Sequence, residues 1–392
     1  MRIGLFKGDF RYDAANAFTD ALAAAFTAAG VQPIIIDLRL PRDQFGAQLS
    51  SLFDVDDLIG LLGINTLGSS IKTDGQFLCD ALSVPFVSWL VDHPLFHAER
   101  LTALQGQPVL CVDRAHVRFL EGLGVVNTHY APHAAASPPD YYSAPRWMER
   151  PGRVLLAGSF DTLDSLRRRF ATVIAHDRAA ADAGIPALSE AFEALADEGP
   201  FTSDQAVIDA AAFHPLTFSV QQFLGISAHY TTLLQCLILW HRAKMRLSIL
   251  RQLDDAGLAV DLVGDGWEAA GFKHHRPLGG KPFTELHSLF AQYRFVLNAA
   301  PLFSEGLHNQ VVYGAFAGAV ACTDENPQSR ALIAPGGALG YPPGDASGLP
   351  AAIDRLDKTP EGAAMASLGR EIVMFDHAWG VRVRNILAIL GR

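Results

Sequence analysis

Asn298-Ala-Ala-Pro-Leu-Phe-Ser-Glu-Gly-Leu-His-Asn-Gln-Val-Val-Tyr-Gly-Ala-Phe-Ala-Gly318, continuing as Ala319-Val-Ala-Cys-Thr-Asp324, is the stretch that decides the fold. An apolar run, Phe295–Asn298, ends in a polar loop that holds a glycine. A helix is expected from about Asn309 to Ala317, followed by a strand over Ala319–Thr323 that carries Asp324 to the same edge. Strand, helix and strand in this order form a parallel crossover. Gly314, Ala315, Ala317 and Gly318 are small enough to let the helix lie close to the sheet. The unpaired amides and dipole at a helix start favour an anion. His308, Asn309 and Gln310 are therefore candidate donors to phosphate oxygens. Glu305, beside Gly306, is placed to accept from ribose or sugar hydroxyls. The same pattern also fits an ordinary crossover whose helix is merely capped.

Upstream, Val260–Val263 reads as a strand running into Gly264-Asp265-Gly266-Trp267. Glycines there allow close approach of the backbone to a ligand, and Trp267 is either a base-pocket wall or core. Leu278-Gly279-Gly280-Lys281 precedes a helix near Phe283–Ala291, so Gly279 and Lys281 join the candidate donor site. His274 and His275 are adjacent and have no evident third ligand, so no metal site is expected.

The N-terminal third alternates in the same way. Arg2–Phe6 reads as a strand, and Asp13 as the cap of a helix with Phe18, Leu22 and Phe26 on one face. Pro33–Leu38, Leu61–Asn65, Pro85–Val91, Pro108–Asp113 and Val125–Tyr130 are further strands. Continuous apolar strands separated by helices imply a parallel sheet covered on both faces. The loop after the first strand carries Lys7 and Arg11, candidate acceptor-side cations, but no dinucleotide fingerprint. Asp92 and His93 close the strand Pro85–Val91, and Pro94 stops it. A carboxylate and an imidazole at a strand end suit general-base work on a hydroxyl, though Asp92 can equally cap a turn. His133 lies near the expected hinge.

These elements predict an α/β chain of two Rossmann-like domains facing a cleft. The expected division is an N-terminal domain over 1–135, a proline-rich linker over 136–152 and a C-terminal domain over 153–375. A helical insertion is expected over about 161–253, including an alanine-rich stretch at Ala179 to Ala196, and a final helix over 376–392.

The chain has 392 residues, enough for two cores. Its net charge of −10 argues against nucleic acid as the main partner. Cys79, Cys111, Cys236 and Cys322 are widely spaced and form no CxxC pair, which suits buried thiols and a cytoplasmic setting. Thr217 to Trp240 is interrupted by Gln221, Gln222, His229 and Gln235, so a buried helix is expected there rather than a membrane span. Peripheral membrane contact stays open.

Taken in order, several pieces resemble the CgeB-like, spore-maturation type glycosyltransferases. They are Pro85-Phe-Val-Ser-Trp-Leu-Val-Asp-His-Pro94, Arg153-Val-Leu-Leu-Ala-Gly-Ser159, Val263-Gly-Asp-Gly-Trp267, Gly306 to Gly318, and His377-Ala-Trp379 with Arg382 and Arg384. The resemblance implies a GT-B fold and a nucleotide-sugar co-substrate bound without an essential metal or other cofactor. It also implies a last helix that returns to the N-terminal domain. Two positions depart from the family pattern: Gln310 stands where the family commonly has Arg, and Tyr313 where it has Glu. The expected reaction is sugar transfer to a glycan or protein. The alternatives are nucleotide-sugar epimerisation, or an inactive scaffold or binding protein.

Overall fold

The computed structural model describes residues 1–101, 106–138, 141–176, 194–196, 206–207, 228–299 and 303–392. Most of the alanine-rich stretch and about half of the expected helical insertion lie outside the described residues. The chain divides into two compact units. One holds Met1–Ala136, Pro282–Thr284 and Asp376–Arg392; the other holds Ser137–Lys281 and Glu285–Phe375.

The first unit is built on six parallel strands: β1 (Arg2–Lys7), β2 (Gln32–Asp37), β3 (Leu58–Ile64), β6 (Phe86–Leu90), β7 (Val109–Cys111) and β8 (Thr128–Tyr130). Two short strands, β4 (Lys72–Thr73) and β5 (Gln76–Phe77), form a separate antiparallel hairpin. The sheet order is β2-β1-β3-β6-β7-β8, so the chain reverses its direction of travel between β1 and β3. Helix Ala14–Ala28 buries Phe18, Leu22 and Phe26, as their four-residue spacing predicts. Asp13 makes no capping bond to this helix; it sits in the left-handed region at φ 60°, and its carboxylate accepts from the Asn16 side chain. The last helix, Trp379–Ile389, belongs to this unit and packs on helix Ala14–Ala28.

The second unit repeats the scheme. Its strands are β9 (Gly152–Ala157), β10 (Asp261–Val263), β11 (Arg276–Pro277), β12 (Tyr293–Leu297), β13 (Val320–Asp324) and β14 (Ala338–Tyr341). All pairings are parallel, in the order β11-β10-β9-β12-β13-β14. This is the doubly wound order whose two halves part between β9 and β12. Every residue of β12 and β13 is buried, which explains why they read as unbroken apolar runs. Helix Asn309–Phe316 crosses between these strands, and Gly314 is required there: a Cβ on it would stand 2.9 Å from Val296 Cβ.

All four cysteines are free and buried. Among the described residues, no helix is long and apolar enough to cross a membrane.

Candidate functional site

In open α/β sheets ligands bind beyond the carboxyl ends of the strands, where the winding reverses. In the second unit that point lies between β9 and β12. Their ends, Gly158-Ser159 and Asn298-Ala299, are bridged by Arg246 from helix Ala228–Asp255. Its guanidinium donates to the Ser159 carbonyl and, at 3.2 Å, to the Ala299 carbonyl. Burial and the charge of Arg242 lower its pKa to about 10, against a pull upward from Asp161. It therefore remains a cation at neutral pH, held by two neutral carbonyls.

Three strand-end loops are tied together beside it. Gly158 N–H donates to the Val263 carbonyl at 2.7 Å, Phe160 N–H to Asp265 at 2.9 Å, and Gly264 N–H to Gly279 at 2.9 Å. A Cβ on Gly264 would lie 2.4 Å from the Gly158 oxygen, and one on Gly266 2.0 Å from the Phe160 oxygen. The space spared by these glycines is thus filled by the chain's own carbonyls, not kept open for a ligand. Trp267 is 1% exposed, donates its indole N–H to Gly158 at 2.7 Å and stacks on Phe160 at 5.1 Å. It is core, and it locks the loops. Lys281 stands 4.0 Å from Glu285, one turn into the following helix.

The helix tip departs from expectation in detail. Helix Asn309–Phe316 starts where the sequence places it, but the His308 ring accepts the Gln310 N–H at 3.4 Å and so acts as its N-cap. The Gln310 side chain turns inward and donates to the Ala157 carbonyl at the end of β9. It is a strand-to-helix tie rather than a phosphate donor. Asn309 Oδ1 is buried with no hydrogen-bond partner. Gly306 is held by Asn326, whose amide donates to its carbonyl at 3.0 Å, and Glu305 beside it is half-buried. Tyr313 packs edge-on against His287 at 4.9 Å. Asp324 is buried beneath this rim and accepts from Asn298 and Thr323, each at 3.3 Å. Burial raises its pKa to about 6.

In the first unit the carboxyl edge of β6 carries Asp92. Asn65, at the end of β3, donates to Asp92 Oδ2 at 2.7 Å and accepts the Val91 N–H at 2.9 Å. His93 is fully buried, accepts the Leu95 N–H on Nδ1 at 3.1 Å and packs on His116 and Phe119. The imidazole expected to work with Asp92 is therefore spent on the turn that follows the strand. Lys7 pairs with Asp20 at 2.5 Å, and the Arg11 guanidinium lies 5.0 Å from the Tyr12 ring centre. His133 is 4% exposed, and its carbonyl accepts from His377 at 2.8 Å.

Two parallel six-stranded sheets of these orders identify the architecture. The fold is GT-B. Residues 244–388 match the profile of the family described as Glycosyl transferase-like, in agreement with the enzyme class expected from the sequence. No curated protein sequence matches the chain. Among solved GT-B structures it is similar to sucrose-phosphate synthase from Thermosynechococcus elongatus, at 12% identity, TM-score 0.53 and coverage of 99% and 98% of the two chains. It is also similar to Alr3699/HepE of Anabaena in complex with UDP and glucose, at 10% identity, TM-score 0.55 and coverage of 100% and 99%. An alpha-glucosyltransferase in complex with UDP-glucose and abasic-site DNA aligns over 100% of both chains, at 10% identity and TM-score 0.55.

Among the described residues, no group of three or more His, Cys, Asp or Glu side chains could hold a metal ion. Sequence reading missed Arg246 and Asn65. Arg246 lies within a long helix far in sequence from both carbonyls that it bridges. Asn65 was visible only as a strand end.

Proposed function

We propose that this chain is a CgeB-like glycosyltransferase that moves a sugar from a nucleotide-sugar donor to a hydroxyl of a glycan or protein. The observation that carries the reading is Arg246 at the winding reversal of the second sheet. A cation and a helix start at one sheet edge suit a diphosphate. In the transfer, the acceptor oxygen bonds to the anomeric carbon while the bond to the diphosphate breaks. The leaving diphosphate takes the electron pair, and Arg246 with the amides at Asn309 stabilises its growing charge. Glu305 and Asn309 serve the sugar or ribose hydroxyls. Where the transfer inverts the anomeric centre, the proton of the acceptor oxygen passes to the Asp92 carboxylate; Lys7 and Arg11 attend the acceptor. The reaction on this reading needs no metal. The complexes of HepE with UDP and glucose and of the alpha-glucosyltransferase with UDP-glucose support the donor class.

Residues 1–135 then form the acceptor domain and 153–375 the donor domain, joined by 136–152. Four free, buried thiols favour a cytoplasmic setting.

A second reading, an inactive scaffold, has one observation in its favour: Gln310 and Tyr313, at positions where charge is expected, are turned to Ala157 and His287. A thermal-shift panel of UDP, GDP, CMP and dTDP sugars, followed by assay of nucleotide release, separates the two. Stabilisation with release supports transfer, stabilisation without release supports the scaffold, and no stabilisation by any donor refutes the donor site.

A further inference from the structure

Arg246 is one of two arginines on a single helix face. Helix Ala228–Asp255 runs opposite to the strands of the second unit. Near its end Asp254 accepts the N–H groups of Lys273 at 2.9 Å and His274 at 2.7 Å, which lead into β11. The chain then enters β10 at Asp261. Arg246 lies at the other, carboxyl edge, where it meets the loop after β9. Residues nearer the helix start therefore reach farther beyond the strand ends. Arg242 is one turn nearer that start. Residues four apart share a face, with about 5–6 Å between their β-carbons.

The opposite face of the helix is taken. Trp240 Nε1 donates to the Ala196 carbonyl at 3.2 Å, and Lys244 Nζ donates to the same carbonyl at 2.8 Å. Residues two positions on lie about 200° round a helix. Arg242 and Arg246 therefore share the side turned away from Ala196 and towards the strand ends. Arg242 is half-buried, and its charge acts on Arg246. Like charges one turn apart repel and weaken a helix. Asp161 is the carboxylate that acts on Arg246 in the other sense, so two cations stand against one anion. The hydrogen bonds of Arg246 go to carbonyls, which carry no net charge. A face of net positive charge at this sheet edge suits a ligand with more than one negative charge.

We propose that Arg242 selects nucleoside diphosphate sugars over nucleoside monophosphate sugars as donors. The proposal rests on the transferase reading. Arg246 meets the phosphate at the strand ends, and Arg242, one turn farther out, meets the second phosphate. Guanidinium–phosphate pairs are charge-assisted and bidentate, so a donor with a single phosphate forgoes the Arg242 contact.

The test uses the full chain and UDP, or the diphosphate of whichever donor stabilises it most, beside the matching monophosphate. Affinities are read by calorimetry. The parent is expected to bind UDP more tightly than UMP. Arg242→Gln is expected to lower UDP affinity about tenfold or more and to leave UMP affinity within about twofold of the parent. Arg246→Gln is expected to weaken both. Arg242→Lys keeps the charge and is expected to retain part of the preference for UDP. Arg242→Met keeps the apolar stem and repeats the measurement, so that a fold lost in one variant does not decide the outcome. Unchanged UDP affinity in a folded Arg242 variant, or an equal loss of UDP and UMP affinity, overturns the proposal while leaving the donor site standing. Stabilisation of the parent by a CMP sugar and by no diphosphate sugar overturns it in the same way. Absence of any nucleotide binding in the parent removes both readings together.

Discussion

The indole N–H of Trp267 donates to the carbonyl of Gly158 at 2.7 Å and so ties the loop after β10 to the loop after β9. The loop after β9 borders the point where the second sheet reverses its winding, and β10 is the next strand out. Trp267→Phe removes the donor and leaves a part-buried carbonyl short of a partner, a loss of about 0.5–1.5 kcal/mol. Urea unfolding should show that loss, and donor-induced stabilisation should fall with it. An unchanged unfolding midpoint would show that the tie contributes nothing.

Arg246→Gln removes the cation that bridges Ser159 and Ala299. Hydrogen bonds to charged groups contribute about 1.5–3 kcal/mol, so UDP affinity measured by calorimetry should drop about tenfold or more. Arg246→Lys keeps the charge but cannot span two carbonyls, and should fall between the two. Equal affinity in all three proteins would place the diphosphate elsewhere.

Asp324 gives a pH signature. Its folded pKa is about 6, above the ordinary value of 3.8, because burial disfavours the carboxylate. Between those values the folded state binds more protons than the unfolded one, so stability falls as pH rises and levels off above 6. The two-unit difference corresponds to roughly 3 kcal/mol at most. Asp324→Asn should abolish this component and raise stability at pH 8 relative to the parent, as followed by urea midpoints across pH 4–8.

His133 and His377 act in the opposite direction. Burial holds the first down to about 3 and the second to about 4, from an ordinary value of 6.5. Their contribution is full above pH 6.5 and is lost as pH falls through that window, because the unfolded rings bind protons first. His133→Gln should flatten the loss of stability between pH 6.5 and 4 in denaturant titrations. A slope equal to the parent's would assign the acid sensitivity to other groups.

Much of the architecture is legible in the sequence because apolar runs and helical spacing are local. Phe295–Asn298 and Ala319–Thr323 read as buried strands, and β12 and β13 lie there. Phe18, Leu22 and Phe26 share a helix face in the sequence and in the fold. The site is less legible, because side-chain partners are not local. Gln310, Trp267 and His93 carry the right chemistry for a site, yet each is taken up by a backbone group: Ala157, Gly158 and Leu95 respectively. Gly264 and Gly266 signal close approach correctly, but only the fold shows that the approaching atoms are carbonyls of Gly158 and Phe160.

By itself, then, the sequence determined the α/β class, the strand ends at Asp92 and Asn298 and the start of the helix at Asn309, because these follow from hydrophobic period and breaker residues over a few positions. The tertiary structure decided which side chains remain for a ligand. Parallel sheets bring together residues from distant crossovers, so that Arg246 meets Ser159 and Ala299, and Asn65 meets Asp92, across separations that no local pattern records.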